Sequence, residues 1–172
     1  LLQRNFTTFC SNCKWSIDIS YIFATDGVKY LCAIKDMYDK SIIAYTVSKF
    51  IDLKLVLETV QKAIDKVPFE QRQNLILHSD QGWHFTNIVY INLLKKNNVI
   101  QSISAKGSSV DNVPIESFFS TLKSECIYLI KNCSVSLCSF SLESSIPSKE
   151  PNEFSDLFWS FMEKIVWRSS SV

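Results

Sequence analysis

Trp15-Ser-Ile-Asp-Ile-Ser-Tyr-Ile22 alternates apolar and polar side chains with a period of two. In an extended strand this alternation places the large apolar side chains on one face, and Ser16, Asp18 and Ser20 on the other. The stretch therefore predicts a β-strand that buries one face and carries the Asp18 carboxylate on the opposite face.

The segments that follow predict an antiparallel meander. Asp26-Gly27 supplies the residues of a tight hairpin turn, and residues 29–34 form the return strand. A second turn is predicted at residues 36–40 and a third strand at residues 41–48. We therefore expect the first three strands to pair in sequence order.

The hydrophobic spacing then changes to about 3.6 residues, which is typical of a helix. Apolar residues recur at this spacing over residues 53–64, with Asp52 placed to cap the helix and Pro68 beyond its end. Residues 74–78 form a short, nearly continuous apolar run, as in a central strand covered on both faces, and Asp80 lies at its carboxyl end. The loop at residues 81–84 follows.

A second helix is predicted over residues 87–97, with Ile88, Ile91 and Leu94 on its buried stripe, and a strand over residues 99–103. The last helix of this region has Asp111 or Asn112 as its cap and Pro114 in its first turn. Its predicted buried face contains Ile115, Phe118, Phe119, Leu122, Cys126 and Leu129, while a separate polar stripe contains Glu116, Ser120 and Lys123.

Three carboxylates occupy ordered positions in this scheme, and each has an ordinary structural explanation. Asp18 could lie on the solvated face of an edge strand, Asp80 could cap a turn or helix, and Glu116 could complement a helix dipole. If the first and fourth strands are neighbours, however, Asp18 and Asp80 lie side by side and the last helix can bring Glu116 over them. Such a cluster would bind divalent cations, which prefer oxygen ligands.

Four strings around these residues resemble the catalytic core of bacterial insertion-sequence transposases, members of the retroviral-integrase-like DDE group. They are residues 14–21 (Lys-Trp-Ser-Ile-Asp-Ile-Ser-Tyr), 77–85 (Leu-His-Ser-Asp-Gln-Gly-Trp-His-Phe), 104–112 (Ser-Ala-Lys-Gly-Ser-Ser-Val-Asp-Asn) and 115–125 (Ile-Glu-Ser-Phe-Phe-Ser-Thr-Leu-Lys-Ser-Glu). The resemblance runs in one order from residue 5 to residue 131, roughly three quarters of the chain.

The resemblance implies an α/β protein with the RNase H-like fold, in which helices flank a five-stranded mixed sheet. It assigns Asp18, Asp80 and Glu116 as catalytic residues that bind Mg²⁺ or Mn²⁺, with two ions expected. It also implies a DNA reaction: water cleaves the end of the element, and the freed 3′-hydroxyl attacks target DNA. The implied partners are element ends and target DNA, bound by a homo-oligomer in the bacterial cytoplasm at the nucleoid.

Candidate DNA contacts surround the three carboxylates. Lys123 and Lys106 could reach phosphates, although each could equally be a solvated surface lysine, and His84 could contact DNA beside Asp80. Trp83 could do the same, but packing within its loop is the favoured interpretation. The net charge of +1 does not by itself indicate a nucleic-acid partner.

The domain division predicted from the sequence has three parts: a leading segment over residues 1–13, an integrase-like core over residues 14–131, and a divergent segment over residues 132–172. The last part is Ser-rich and ends in an amphipathic stripe. The resemblance implies a different sequence after the last helix, and a frameshift would explain this difference. No upstream DNA-binding region is recognised. We therefore expect a truncated transposase; the alternatives are an inactive transposon remnant and an RNase H-like nuclease.

Two further expectations come from composition. The apolar runs are shorter than the roughly 18 residues of a membrane span, so no membrane partner is expected. Cys10 and Cys13 have the spacing of half a zinc site, but no second pair follows at a suitable distance. We interpret these cysteines as reduced thiols.

Overall fold

The computed structural model describes residues 8–24, 27–104 and 113–124. The strands are β1 (Lys14–Ala24), β2 (Gly27–Asp36), β3 (Ile42–Ser48), β4 (Ile76–Ser79) and β5 (Ile100–Ile103). The helices are α1 (Leu53–Ile64), α2 (Trp83–Thr86), α3 (Ile88–Lys96) and α4 (Val113–Leu122), and a short 3₁₀ helix spans Phe69–Arg72. No helix within these residues is long and apolar enough to cross a membrane.

The strands form one mixed sheet in the order β3-β2-β1-β4-β5. β1, β2 and β3 pair antiparallel, whereas β1 pairs parallel with β4 and β4 pairs parallel with β5. This confirms the predicted meander and the predicted pairing of the first and fourth strands. β1 is therefore the central strand, and the interpretation of Asp18 as an edge-strand residue is wrong.

The two faces of the sheet pack against different helices, so the face of β1 that carries Asp18 is covered as well, which the alternation in β1 did not predict. One face buries a cluster that includes residues of β1, β4, α1 and α3: Trp15, Ile17, Leu55, Val56, Val60, Leu77, Tyr90 and Leu94. The other face packs against α4 in a second cluster: Ile22, Leu31, Ala33, Ile42, Ile115, Phe118, Phe119 and Leu122. Each such side chain stabilises the fold by about 1.5–3 kcal/mol when fully buried.

The start of α1 is fixed by the residue that the sequence predicts as its cap. The Asp52 carboxylate accepts a hydrogen bond from the Leu55 backbone N–H at 2.9 Å. This satisfies one of the amides that a helix N-terminus leaves without an internal partner and contributes about 1 kcal/mol.

The buried stripe predicted for α3 is partly wrong. Ile88 is 63% exposed, whereas Tyr90 and Leu94 are buried. The Tyr90 ring packs edge-to-face on Phe85 of α2, with ring centroids 5.6 Å apart. The preceding helix α2, which the sequence predicted as a loop, thus provides the surface that orients α3.

The interpretation of Cys10 and Cys13 as reduced thiols is also wrong, since they form a disulfide. The two residues between them are held by one buried carboxylate: Asp36 Oδ2 accepts from the Asn12 backbone N–H at 2.7 Å and from Ser11 Oγ at 3.2 Å. This turn brings the two sulfur atoms together at the start of β1.

Candidate active site

Asp18 lies on β1, and Asp80 directly follows β4, the parallel strand next to β1. β1 and β4 pair as Lys14 with Ile76, and Ser16 with His78. The same register, carried two residues further along both strands, brings Asp18 level with Asp80, which follows the last residue of β4. The predicted position of Asp80 at the carboxyl end of its strand is therefore confirmed.

Glu116 reaches the same face of the sheet on α4. Asp18 lies opposite Ala33 of β2 in the sheet, and the Ala33 side chain packs in the cluster that contains the apolar residues of α4. Within α4, the apolar residues are buried as predicted, whereas Glu116 and Ser120 are exposed. The helix is thus fixed by its apolar side and leaves the Glu116 carboxylate in solvent.

Electrostatic coupling joins the three carboxylates. The pKa of Asp18 is raised from 3.8 to about 6, chiefly by burial and also by repulsion from the charges of Asp80 and Glu116. The hydrogen bond from the Ile19 amide and the positive charge of Lys123 act in the opposite direction. Excess negative charge therefore accumulates around Asp18.

Each aspartate uses one carboxylate oxygen to accept a backbone amide. Asp18 Oδ1 accepts from Ile19 N at 2.7 Å, and Asp80 Oδ1 accepts from Gly82 N at 2.8 Å. The second bond closes a short turn of the Asp-x-Gly type. Both carboxylates are thereby oriented, and the other oxygen of each is the one that a cation would take.

Gly82 is required at this turn because its backbone lies against the Asp80 carboxylate. A Cβ atom at position 82 would lie 2.9 Å from Asp80 Oδ1 and 3.3 Å from the Phe85 ring. Any larger residue would displace one of them. The sequence analysis missed this requirement, although a glycine two residues after an aspartate is its signal.

The donor set fits a hard divalent cation, because it consists of carboxylate oxygens with repulsion that a cation would relieve. Among the described residues, no group of three His, Cys, Asp or Glu side chains is drawn together closely enough to hold a metal ion.

Buried polar side chains support the strand ends behind Asp80. His78 contacts Ser102 Oγ through Nδ1 at 3.0 Å and Ser104 Oγ through Nε2 at 3.3 Å. Gln81 Nε2 donates to the Ser104 backbone oxygen at 3.0 Å. These bonds join β4 to β5 directly beside the Asp80 turn, so the turn has a fixed base.

The residues predicted to contact DNA lie in different environments. Lys123 follows α4 and places Nζ 4.2 Å from the centroid of the Tyr21 ring, where its charge also acts on Asp18. His84 is only 5% exposed, and a direct DNA contact by its ring stays a prediction. Trp83, for which packing was favoured, is 57% exposed. Lys106 lies outside the described residues.

Comparison with known proteins identifies the family of the chain. The integrase core domain model matches residues 10–109. An uncharacterized transposase-like protein of Haemophilus influenzae is 39% identical over 74% of this chain and 58% of its own length. The putative transposase InsK for insertion sequence element IS150 of Escherichia coli is 38% identical over 75% of this chain and 45% of its own length.

Solved structures show the same fold. The HTLV-2 integrase catalytic core domain in complex with magnesium superposes with a TM-score of 0.61 at 11% identity, covering 94% of this chain and 86% of that chain. The simian T-cell lymphotropic virus intasome gives a TM-score of 0.62 at 15% identity, covering 87% and 48%. The five-stranded sheet with its helices is thus the RNase H-like fold of retroviral integrase cores.

The chain spans about half the length of the curated relatives that it matches. Transposase InsF for insertion sequence IS3A of E. coli, for example, is 34% identical over 74% of this chain but only 44% of its own length. The matched part includes the strands and helices that carry Asp18 and Asp80. The chain belongs to the integrase core domain family.

Proposed function

We propose that the chain is the catalytic part of an insertion-sequence transposase, a metal-dependent polynucleotidyl transferase that cleaves DNA strands and transfers them to target DNA. The observation that carries the proposal is the electrostatic coupling of Asp80 and Glu116 to Asp18 on one face of an integrase-type sheet. Family membership alone supports the reaction class but does not assign the residues.

In this proposal Asp18, Asp80 and Glu116 are the metal ligands. Bound Mg²⁺ or Mn²⁺, as two ions, would activate the attacking oxygen and stabilise the leaving oxygen of the phosphodiester. The amides of Ile19 and Gly82 orient the two aspartates, and a cation would have to draw the three carboxylates closer together.

Lys123 is proposed to bind a DNA phosphate next to these carboxylates. Its ammonium lies over the Tyr21 ring. Its positive charge lowers the pKa of Asp18, whereas the negative charges of the other two carboxylates raise it. With a cation held by the carboxylates, the Lys123 ammonium would be free to bind a phosphate oxygen. Lys106 remains proposed as a second phosphate contact.

The wider setting is proposed on the same basis. The core is taken as residues 14–131, with a leading segment before it and a divergent segment over residues 132–172. It would bind element ends and target DNA as a homo-oligomer, in the cytoplasm of a bacterium and at its nucleoid. Retroviral cores of similar fold were solved in dimeric and trimeric forms with magnesium, which supports the assembly and the cation.

A nicking assay tests the proposal. The chain is fused to a sequence-specific DNA-binding domain, so that DNA is delivered to a defined place, and is incubated with a supercoiled plasmid that carries the binding sequence. We expect nicked plasmid with Mg²⁺ or Mn²⁺ and none with a chelator. Absence of nicking with either metal would favour the inactive remnant, and cleavage confined to RNA–DNA hybrids would favour a nuclease.

A further inference from the structure

Trp83 is an exposed aromatic residue at the start of α2, directly before two buried residues. Its exposed fraction is 57%, whereas its neighbours His84 and Phe85 are 5% and 2% exposed. Exposure of so large an apolar surface has no benefit for folding. In proteins that bind single-stranded nucleic acid, exposed aromatic side chains stack against bases.

The indole ring is held rigidly. It lies against the His84 ring, with centroids 3.8 Å apart and planes inclined by 31°. α2 itself is fastened by Gln101 Nε2, which donates to the Phe85 backbone oxygen at 2.7 Å. The ring therefore loses little conformational entropy when a second ring packs on it.

The ring is also continuous with the candidate active site. Gly82, the residue before Trp83, donates its amide to Asp80 Oδ1 at 2.8 Å. Trp83 therefore directly follows the turn that holds the carboxylate proposed to bind the cation. Lys123, on the α4 side of the same site, supplies a positive charge for the backbone of that ligand.

We propose that Trp83 is a stacking platform for an unpaired DNA base next to the cleaved strand. This proposal rests on the proposed function, because that function makes DNA the ligand. Every base offers a flat π-face, but within a duplex both faces are covered by neighbouring bases. The platform therefore selects DNA whose end is frayed or single-stranded, and it does not read base sequence.

The test is a binding measurement without divalent metal, so that no cleavage is required. DNA with a single-stranded end carries the fluorescent base 2-aminopurine, and binding to the 172-residue chain is compared with that of a blunt duplex. Stacking on Trp83 should quench the fluorescence. Trp83→Ala should lower the affinity for the single-stranded end by roughly 5- to 100-fold and remove the quenching, while Trp83→Phe should retain most of both.

Phe50→Ala is the matched control, because Phe50 is 70% exposed and follows β3 at the opposite edge of the sheet. It should bind like the parent chain. Equal affinity and equal quenching in the parent and Trp83→Ala would overturn the proposal, as would an equal loss in Phe50→Ala. Asp80→Asn separates the two proposals: it should lose nicking in the fused protein yet keep the Trp83-dependent quenching.

Discussion

Replacement of Asp80 by Asn is expected to lower the rate of metal-dependent nicking by on the order of 10³-fold or more. Asparagine has nearly the same shape and can still accept the Gly82 amide, so the turn after β4 should persist. What is lost is one negative charge and one anionic oxygen ligand. Loss of several kcal/mol of charge stabilisation in the transition state corresponds to this rate effect.

The matched control for this substitution is Asp39→Asn. Asp39 also accepts a backbone amide, from Ser41 N at 2.8 Å, but it lies in the turn between β2 and β3. Both variants are measured by the initial rate of nicking in the fused protein with Mg²⁺. A rate for Asp80→Asn equal to that of Asp39→Asn would show that the activity does not depend on this carboxylate.

Asp18→Asn is expected to abolish nicking and yet to stabilise the metal-free protein by about 2 to 3 kcal/mol at neutral pH. The reason is that burial and the neighbouring carboxylates raise the pKa of Asp18 from 3.8 to about 6. Each pKa unit corresponds to about 1.4 kcal/mol. Asparagine keeps an oxygen that can accept the Ile19 amide but removes the buried charge.

The sign of the pH dependence follows from the raised pKa. Below about pH 4 Asp18 is protonated in both the folded and unfolded chains, so its favourable contribution is fully present. As the pH rises through about 6, the unfolded chain ionises first and that contribution is lost. The free energy of unfolding of the parent should therefore fall over this window relative to that of Asp18→Asn, whose side chain does not titrate.

Urea unfolding at a series of pH values, with and without Mg²⁺, measures this effect. The advantage of Asp18→Asn should be small at pH 4 and complete above pH 7. Mg²⁺ should restore stability to the parent and not to the variant, because only the parent offers the carboxylate. A constant difference at all pH values would contradict the electrostatic explanation.

Much of the sheet follows from local patterns. The alternation in Trp15–Ile22 predicts both the strand and the face on which Asp18 lies, because a strand with one apolar face must turn it to the core. Asp52 predicts the start of α1 because its carboxylate can accept a backbone amide of the first helical turn. The pairing of β1 with β4 follows from the helical crossover between them.

Features that depend on packing between elements were not predictable in the same way. The exposure of Ile88 and the burial of Tyr90 depend on α2, a single turn too short to show a periodic pattern. The burial of His84 beside the exposed Trp83 has the same origin, and the favoured interpretation of Trp83 as a packing residue did not anticipate its exposure. The predicted cap of α4 at Asp111 or Asn112, Cys126 and Leu129, and residues 132–172 lie outside the described residues.

The central claim is that Asp18, Asp80 and Glu116 form one divalent-cation site, and anomalous diffraction from crystals of the chain soaked in Mn²⁺ tests it most directly. Mn²⁺ scatters anomalously, so its position is observed without assumptions about its ligands. We predict Mn²⁺ between the carboxylates of Asp18 and Asp80, with Glu116 on the same ion or on a second one beside it. Mn²⁺ bound only elsewhere, or no Mn²⁺ at these three carboxylates, would contradict the claim.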